Sequence, residues 1–409
     1  MKLAVVSPFV DKSHGTERAL AELIERLAQD YACEIYLYSQ RVEDLRLGTR
    51  ESISAANPGA IFWRKIPSVS GPYTLQFLIW IILNGLARRW DRLWHGMSFD
   101  LVLSPGINCF NADVVIVHAV FARLRELISE SGAETHSGKF RMAHRRLYYG
   151  LLAWMERSVY SDKEITLVAV SRRTCEMLKS RFRRRDALVV PNGVDTFHFS
   201  SIARTALREE ARKRRNLSGE DCVLLFIGND WRIKGLQTVL EAMASLPAAG
   251  LRLLIAGNDV AAPFRQNADR LGIGNRCLWE QSRPDVIDYY AASDIYVSPS
   301  CEDSFGLPVA EAMACGLPVI TSALAGVSEC VQDGVDGFVI QNPRNAGMLS
   351  EILRKLSENP DLRRNIGQAA ERKIAHWNWD RHAAAMWEIL SATLAKRCGA
   401  TRAFNHAPR

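Results

Sequence analysis

Several features that mark particular protein classes are missing from this sequence of 409 residues. Its nine cysteines are dispersed, without a CxxC pair or a cysteine–histidine cluster at zinc-ligand spacing. That pattern argues against a disulfide framework or a structural zinc site and predicts reduced, buried thiols in the cytosol. No G-x-G-x-x-G follows a predicted strand, which disfavours a dehydrogenase that binds a dinucleotide.

Long hydrophobic runs are scarce as well. The longest, Thr74–Ala87, has the length of a core or interfacial helix and is shorter than the roughly 20 residues that a membrane span needs. The amino terminus has a short apolar run that stops at Ser7-Pro8, so it resembles a first buried strand more than a signal peptide. We therefore expect a cytoplasmic chain that is not exported and that can touch a membrane.

The charge balance favours anionic partners. Lysine and arginine number 52 against 45 acidic residues, which gives a net charge of +7. Nucleotides, phosphorylated glycans and acidic lipid headgroups all fit this excess. Nucleic acid is disfavoured because no recognised binding motif accompanies the charge.

The hydrophobic pattern predicts an α/β protein with two domains. Short, continuous apolar runs alternate with helical patterns, as expected for parallel strands that are covered on both faces. A turn at Pro191-Asn192-Gly193 and a charged linker at 203–215 divide the chain. We predict two doubly wound, Rossmann-like domains, 1–190 and 191–377, facing each other across a cleft. A helix around 378–397 is expected to pack back on the first domain, and 398–409 is expected to be a disordered tail.

In the second half, Ser298–Thr321 combines two carboxylates with the start of a helix. Asp303 lies in the loop before the helix and Glu311 lies about one turn inside it. Phe305-Gly306-Leu307 offers backbone amides at the positive end of the helix, where phosphate can bind. Carboxylates beside such a site can accept hydrogen bonds from sugar hydroxyls. A helix cap followed by a solvated glutamate is the alternative interpretation.

Basic residues follow another predicted strand. In Leu224–Gly235 the strand ends at Gly228, and Arg232 and Lys234 precede a helix over Leu236–Ala244. Lysine and arginine are the side chains that neutralise a diphosphate. A solvated loop with surface cations is the alternative.

From Ala187 to Ile340 the chain resembles the retaining glycosyltransferases of family 4, which have the GT-B fold. The resemblance rests on PNGVDTFHF, on the strand that leads through Gly228 to Lys234-Gly235, on LLIAGND, on YYAASDIYVSPS and on DSFGLPVAEAMACGLPVI. The last motif resembles the family's pair of acidic residues separated by seven positions.

The resemblance implies that Glu311 contacts the nucleotide ribose and that Asp303 contacts the donor sugar. The first acidic position is more often Glu, and neighbouring Glu302 is an alternative to Asp303. The family often has Arg directly after the glycine, where Asn229 stands here, and Arg232 is the nearest replacement. The implied donor site comprises Gly228, Asn229, Arg232, Lys234, Ser304, Phe305, Gly306, Leu307 and Glu311.

The first half contributes three predicted site residues. Gly15 and Thr16 open a helix after the first strand, and the resemblance implies that they lie beside the donor phosphates. A simple turn with a threonine cap is the alternative. His118 follows the apolar run Val114–Val117 and is implied to face the transferred sugar or the acceptor, although a structural histidine is the usual meaning of such a position.

Residues 139–157 mix lysine and arginine with aromatic residues at helical spacing, a composition that can bind an anionic bilayer. A helix that buries its apolar stripe in the core is the alternative. Lipopolysaccharide-core glucosyltransferases, which the chain resembles, carry such a segment at this place, so we expect a peripheral position on the inner face of the cytoplasmic membrane.

These observations predict a retaining glycosyltransferase that moves a hexose, with UDP-glucose the leading donor, to a cell-envelope glycan or a lipid-linked acceptor such as lipopolysaccharide core. The sequence has no D-x-D motif, so neither a metal nor a cofactor is needed to explain diphosphate stabilisation. Lys234, Asp303 and His118 are the predicted catalytic residues. A sugar-nucleotide epimerase of the same fold and a catalytically silent scaffold docked at the membrane are the alternatives.

Overall fold

A computed structural model describes residues 1–48, 59–130, 139–247, 250–283 and 285–405. The chain divides into two compact units. The first comprises Met1–Pro191 together with Trp379–Arg409, and the second comprises Asn192–Asn378. We call them unit 1 and unit 2.

Unit 1 is built on a parallel sheet of seven strands in the order β5-β3-β1-β6-β7-β8-β9. The strands are β1 (Lys2–Val6), β3 (Glu34–Ser39), β5 (Ala60–Lys65), β6 (Leu101–Pro105), β7 (Val114–Val117), β8 (Thr166–Ala169) and β9 (Leu188–Val189), and a separate two-stranded ladder pairs β2 (Phe9–Val10) with β4 (Arg41–Val42). The helices are α1 (Gly15–Asp30), α2 (Tyr73–Trp94), α3 (Phe121–Glu130), α4 (Lys139–Tyr160), α5 (Arg172–Phe182) and α13 (Trp379–Asn405). Leu3 to Val6 and Val114 to Val117 are buried throughout, which is why these strands read as continuous apolar runs.

The last helix, α13, packs on α1 within unit 1. Arg26 Nε donates a hydrogen bond of 2.7 Å to Asp380 Oδ1, and the ring of Trp387 stacks on Tyr31 with centroids 5.0 Å apart. The sequence predicted a disordered tail from residue 398, and the structure continues α13 to Asn405. Residues 398–405 include two alanines and one arginine, which favour a helix, and the single Gly399 costs only about 1 kcal/mol there. Residues 406–409 lie outside the described part of the chain.

Unit 2 contains a parallel sheet of six strands in the order β12-β11-β10-β13-β14-β15. The strands are β10 (Cys222–Ile227), β11 (Leu251–Ala256), β12 (Cys277–Glu280), β13 (Ile295–Ser298), β14 (Val319–Ser322) and β15 (Phe338–Ile340). The helices are α6 (Ser201–Lys213), α7 (Leu236–Ala244), α8 (Ala262–Arg270), α9 (Ile287–Ala292), α10 (Leu307–Ala314), α11 (Ala346–Ser357) and α12 (Pro360–Ile374), with short 3-10 turns at Gly274–Arg276 and Gly326–Cys330.

The charged segment that the sequence suggested as a linker is the helix α6, so that prediction is wrong. Ser200 caps it by accepting from the Ala203 amide. Arg208 and Arg212 reach Asp294 at 2.6 and 3.2 Å and also donate to backbone carbonyls at the end of α9. The arginines therefore dock α6 on α9, and the dense charge that resembled a solvated segment belongs to the packing of unit 2.

Both sheets wind outward in two directions from a central pair of strands, which confirms the predicted pair of doubly wound α/β domains. The edge strands β5 and β12 were not predicted. Each exposes part of its surface, so neither has the continuous apolar character of the central strands.

Candidate functional site

The sheet of unit 2 reverses its winding direction between β10 and β13, which are neighbours in space. In open α/β sheets, ligands bind outside the carboxyl ends of the strands at such a point. Lys234 lies in the loop that follows β10, and Asp303 lies in the loop that follows β13. Their place in the topology therefore marks a candidate site within unit 2.

Two backbone contacts hold these loops together. The Cys301 amide donates to the Ile233 carbonyl at 2.7 Å. Gly235 has φ +82° and approaches Pro299 so closely that an added Cβ would lie 2.2 Å from the Pro299 carbonyl oxygen. Only glycine satisfies both the left-handed backbone and the close approach. The glycine after Lys234 thus places the lysine against the second loop.

Lys234 and Asp303 form an ion pair. Lys234 Nζ lies 2.5 Å from Asp303 Oδ2, and the two side chains are 24% and 17% exposed. The backbone of Asp303 is fixed on both sides, because its amide donates to Leu324 at 3.2 Å and its carbonyl accepts from Gly326 at 2.9 Å. A cation and a carboxylate are therefore held side by side, and both remain accessible to a ligand that carries phosphate and hydroxyl groups.

Glu311 is buried, with 3% of its surface exposed, and accepts a hydrogen bond of 2.7 Å from the hydroxyl of Tyr290. Tyr290 lies on α9, and its hydroxyl is also 3.2 Å from the Pro308 carbonyl. Burial, followed by the charge of Glu311, raises the pKa of Tyr290 well above its ordinary value, so this hydroxyl stays a donor. The alternative interpretation of Glu311 as a solvated surface residue is wrong.

The start of α10 lies between the two acidic residues. Gly306 precedes the helix with φ +98°, a conformation that favours glycine, and Ser304 lies two residues earlier. Phe305 is buried and stacks on Trp377 with ring centroids 6.2 Å apart, and Leu307 is buried as well. These side chains anchor the loop. Pro308 has no N–H and the Val309 amide donates to the Gly306 carbonyl at 3.0 Å, so the backbone amides that suit an anion here are those of Gly306 and Leu307.

The loop after β10 places its polar residues differently. Gly228 has φ +153°. Its carbonyl oxygen lies so close to Gly257 that a Cβ added to Gly257 would be only 2.0 Å from it. The Asn229 side chain accepts a hydrogen bond of 2.8 Å from the Asn258 amide and so joins the neighbouring loop. Arg232 lies two residues before Lys234 in the same loop, and its side chain is exposed.

Glu302 and Asp303 differ in their surroundings. Glu302 is 6% exposed, whereas Asp303 reaches Lys234 and keeps an accessible carboxylate. Asp303 is thus the acidic residue that pairs with the predicted phosphate-binding lysine.

Unit 1 contains a cavity of about 440 Å³ whose wall includes two predicted site residues, Thr16 and His118. His118 is half-buried, and desolvation followed by the charge of His382 lowers its pKa to about 3, so the ring is neutral at pH 7. Gly15 is the first residue of α1 and is exposed. The rest of the wall is mostly aromatic and amide in character and includes Tyr73, Gln76, Phe77, Asn108 and Tyr148.

Glu17 also lines this cavity and was not predicted. Burial raises its pKa, and the nearby Asp11 carboxylate adds to the increase. A neutral imidazole and a carboxyl group therefore face the same space, and both can bond to hydroxyl groups.

The family comparison agrees with the geometry of unit 2. Residues 208–373 match the family described as glycosyl transferases group 1. This segment is a glycosyltransferase group 1 domain. It lies inside unit 2 and contains Lys234, Asp303 and Glu311, so the predicted family is confirmed for this segment.

Curated relatives match part of this chain. A D-inositol 3-phosphate glycosyltransferase of Mycobacterium marinum is 38% identical over 160 residues, 37% of this chain and 33% of the relative. The lipopolysaccharide glucosyltransferase WaaG of Escherichia coli strain K12 is 32% identical over 157 residues, 37% of this chain and 42% of the relative. A D-inositol 3-phosphate glycosyltransferase of Xylanimonas cellulosilytica is 31% identical over 222 residues, 51% and 52% of the two chains. The match spans about half of these relatives or less.

Solved structures extend the similarity beyond the group 1 domain. The crystal structure of WaaG, a glycosyltransferase involved in lipopolysaccharide biosynthesis, has a TM-score of 0.73 at 21% identity and covers 95% of this chain and 99% of that one. Anabaena HepE in complex with UDP and glucose has a TM-score of 0.65 at 17% identity and covers 95% and 99%. At these identities the similarity shows the fold, which confirms the predicted GT-B fold.

Some residues of the group 1 domain that shape the site carry no motif of their own. Tyr290 belongs to the segment YYAASDIYVSPS, yet its position along the chain does not indicate that its hydroxyl holds Glu311. Trp231 donates from its amide to Asp259 at 2.7 Å and from its indole to the Gly228 carbonyl at 2.7 Å, and it thereby fixes the loop that carries Lys234. A buried tyrosine hydroxyl or tryptophan N–H needs a hydrogen-bond partner. That requirement is the signal that could have identified both Tyr290 and Trp231.

Proposed function

We propose that the chain is a glycosyltransferase that takes a hexose from a nucleotide diphosphate sugar, with UDP-glucose the leading donor. The observation that carries this proposal is the ion pair of Lys234 and Asp303 at the winding reversal of the group 1 domain, with buried Glu311 about one turn inside the helix that follows, α10. HepE, whose fold is similar, has been solved in complex with UDP-glucose. That complex supports the choice of donor.

In the proposed reaction, negative charge grows on the departing diphosphate while the sugar passes through an oxocarbenium-like state. Lys234, with Arg232 nearby, and the amides of Gly306 and Leu307 at the start of α10 stabilise the diphosphate. Asp303 accepts from sugar hydroxyls, and Glu311 accepts from the ribose. Lys234 and the helix supply positive potential without a divalent ion, which supports a metal-independent reaction. Retention of anomeric configuration stays a prediction from the family resemblance.

The proposed acceptor is a cell-envelope glycan or a lipid-linked acceptor such as lipopolysaccharide core. The cavity of unit 1 supports a hydroxyl-rich ligand, because neutral His118, Thr16, Glu17 and Asn108 alternate there with aromatic rings. WaaG, a similar protein, is named for lipopolysaccharide. The role of Gly15 and Thr16 beside the donor phosphates stays a prediction.

We also propose a peripheral position on the inner face of the cytoplasmic membrane. Within the described residues, no helix has the length and apolar character that crossing a bilayer requires. The predicted contact segment 139–157 forms most of α4, but the side chains of 139–145 lie outside the described part of the chain.

The proposal is tested by thermal unfolding with UDP, GDP, ADP and CMP sugars, with and without chelator, followed by transfer assays with a radiolabelled donor. Wild-type protein should be stabilised by one nucleotide diphosphate sugar, with the same shift in chelator. Lys234→Ala and Glu311→Gln should abolish that shift and lower transfer by about 100-fold or more, because a lost contact to developing charge removes several kcal/mol. Lys213→Ala, at an exposed lysine of α6, is the matched control.

The outcomes separate the alternatives. Isomerised sugar nucleotide in the absence of acceptor would identify an epimerase. No shift and no turnover with any donor would favour the membrane-docked scaffold. Normal turnover in both site variants would overturn the assignment of Lys234 and Glu311.

A further inference from the structure

Helix α2 of unit 1 packs Trp80, Phe77 and Ile81 on the core but also buries several polar residues and leaves a second set of apolar residues exposed. Its buried residues are Trp80, Asn84, Arg88 and Asp91, three of which are polar. A surface helix of a globular protein ordinarily has an apolar face toward the core and a polar or charged face toward solvent. The face of α2 that points away from unit 1 therefore needs an explanation.

The buried polar side chains of α2 are well satisfied, so the orientation of the helix is fixed. Asp91 accepts from the Tyr38 hydroxyl at 2.7 Å and from Arg64 Nε at 3.0 Å. Asn84 donates to the Asn108 carbonyl at 3.3 Å, and Arg88 donates to Asn84 Oδ1 at 3.0 Å. Rotating α2 to bury its apolar face would break this network and leave Asp91 without its cation.

The opposite face forms an apolar stripe along the whole helix. Its members are Leu75, Leu78, Ile82, Leu86, Trp90 and Leu93, and the last four are 58%, 58%, 57% and 67% exposed. At 3.6 residues per turn they fall within an arc of roughly 120°, over a helix about 33 Å long. Tyr73 at the first position and Trp94 at the last are 72% and 70% exposed. Contiguous apolar surface of this kind marks an interaction site.

The charges around the stripe have one sign. In α2 and in the described part of α4, residues 146–160, the exposed charged side chains are Arg89, Arg92, Arg146 and Arg157. The acidic residues of the same segments, Asp91 and Glu156, are buried. Helix α4 lies beside α2, because Tyr148 contacts Tyr73 and Phe77 with ring centroids 6.5 and 6.3 Å apart. The exposed surface therefore combines an apolar stripe with arginines. Arg89 falls within the arc of the stripe, where its long stem can carry the guanidinium to a polar boundary, and Arg92 lies beside the arc.

We propose that α2 lies in the plane of an anionic lipid surface, with its apolar stripe among the acyl chains and its arginines at the headgroups. A helix with an apolar face, flanking cations and aromatic residues at its ends is the type that binds in this manner. A second copy of the chain fits less well. In a two-fold dimer the same surface meets itself, and the exposed arginines would find no exposed acid on either of these segments.

This inference places lipid contact on α2, a different helix from the segment predicted from the sequence, and it does not depend on the transferase assignment. The test is co-sedimentation of the full chain with vesicles of equal parts phosphatidylcholine and phosphatidylglycerol, and with vesicles of phosphatidylcholine alone. Two exposed positions are changed together in Ile82→Gln/Leu86→Gln. The matched control is Ile202→Gln, because Ile202 is 82% exposed on α6 of unit 2.

Wild-type protein should bind the mixed vesicles more tightly than the neutral ones, and added salt should weaken the binding. The double variant should lose about tenfold or more in vesicle affinity, because two apolar side chains leave the bilayer, while the control variant binds as wild type. Circular dichroism and the unfolding midpoint should match wild type in both variants, since these side chains are exposed.

Two results would overturn the proposal. One is equal vesicle binding by wild type and the folded double variant. The other is a wild-type dimer in sedimentation that the double variant dissociates, without binding to either vesicle, which would assign the stripe to a second copy of the chain.

Discussion

Replacing Gly235 with alanine should disturb the candidate site through the backbone alone. The new Cβ would lie 2.2 Å from the Pro299 carbonyl oxygen, at a residue with φ +82°. Left-handed backbone costs a non-glycine residue about 1–2 kcal/mol, and crowding in a packed region adds about 1–3 kcal/mol. The free energy of unfolding should therefore fall by about 2–5 kcal/mol. Since Cys301 is bonded to Ile233 across the same contact, the Lys234–Asp303 pair should separate.

Gly272→Ala is the matched control, because Gly272 has φ +73° and no atom within 4 Å of the added Cβ. It should lose only the backbone contribution, about 1–2 kcal/mol. Urea unfolding gives the two free energies, and hydrogen exchange of residues 299–306 reports the local change. Equal destabilisation of the two variants, with unchanged exchange in that loop, would refute the account of how Gly235 positions Lys234.

Three further predictions follow from buried polar groups. Tyr290→Phe should lower the free energy of unfolding by about 1–3 kcal/mol and reduce donor turnover, because Glu311 loses a hydrogen bond of 2.7 Å. Tyr296→Phe should cost less in the same unfolding and transfer assays, because the hydroxyl of Tyr296 lies 3.4 Å from its acceptor, the Ile227 carbonyl. Glu156 accepts from the amides of Phe121 and Ala122, yet burial raises its pKa from 4.5 to about 7, so the folded state binds the extra proton and stability should fall as pH rises from 4.5 to about 7. In urea titrations across that window, Glu156→Gln should remove part of the slope, and equal slopes in both proteins would contradict the assignment. Desolvation lowers the pKa of His382 from 6.5 to about 4, so its NMR imidazole resonances should stay those of the neutral ring down to about pH 4, and a titration near 6.5 would show that the ring is solvated.

The central strands and the donor-side motifs could be predicted because each depends on local sequence. Runs such as Leu3–Val6 are apolar since both faces of the strand are covered, and Leu236–Ala244 was predicted with the bounds that α7 has. Lys234, Asp303 and Glu311 lie in segments whose order along the chain reveals where strands end. The placement of these residues therefore follows from the α/β pattern.

The remaining features depend on contacts between distant segments. The arginines of α6 resembled a solvated linker, because their partners, Asp294 and the carbonyls of α9, lie about 80 residues later along the chain. Asn229 stands where the resembling family often has an arginine, and only its bond to the Asn258 amide shows that its side chain joins the neighbouring loop. The direction of α2 was likewise hidden, because an apolar helix ordinarily faces inward and here Asp91 and Asn84 occupy that side.

Helix α2 is also a wall of the cavity in unit 1, to which it contributes Tyr73, Gln76, Phe77 and Trp80. A helix is about 10–12 Å across, so a chain that rests on lipid through α2 holds that cavity within one helix diameter of the headgroups. An acceptor carried in the bilayer would then meet the cavity by diffusing in two dimensions. Its concentration per membrane area would set the encounter rate, whereas a glycan free in solution would gain nothing from the same arrangement.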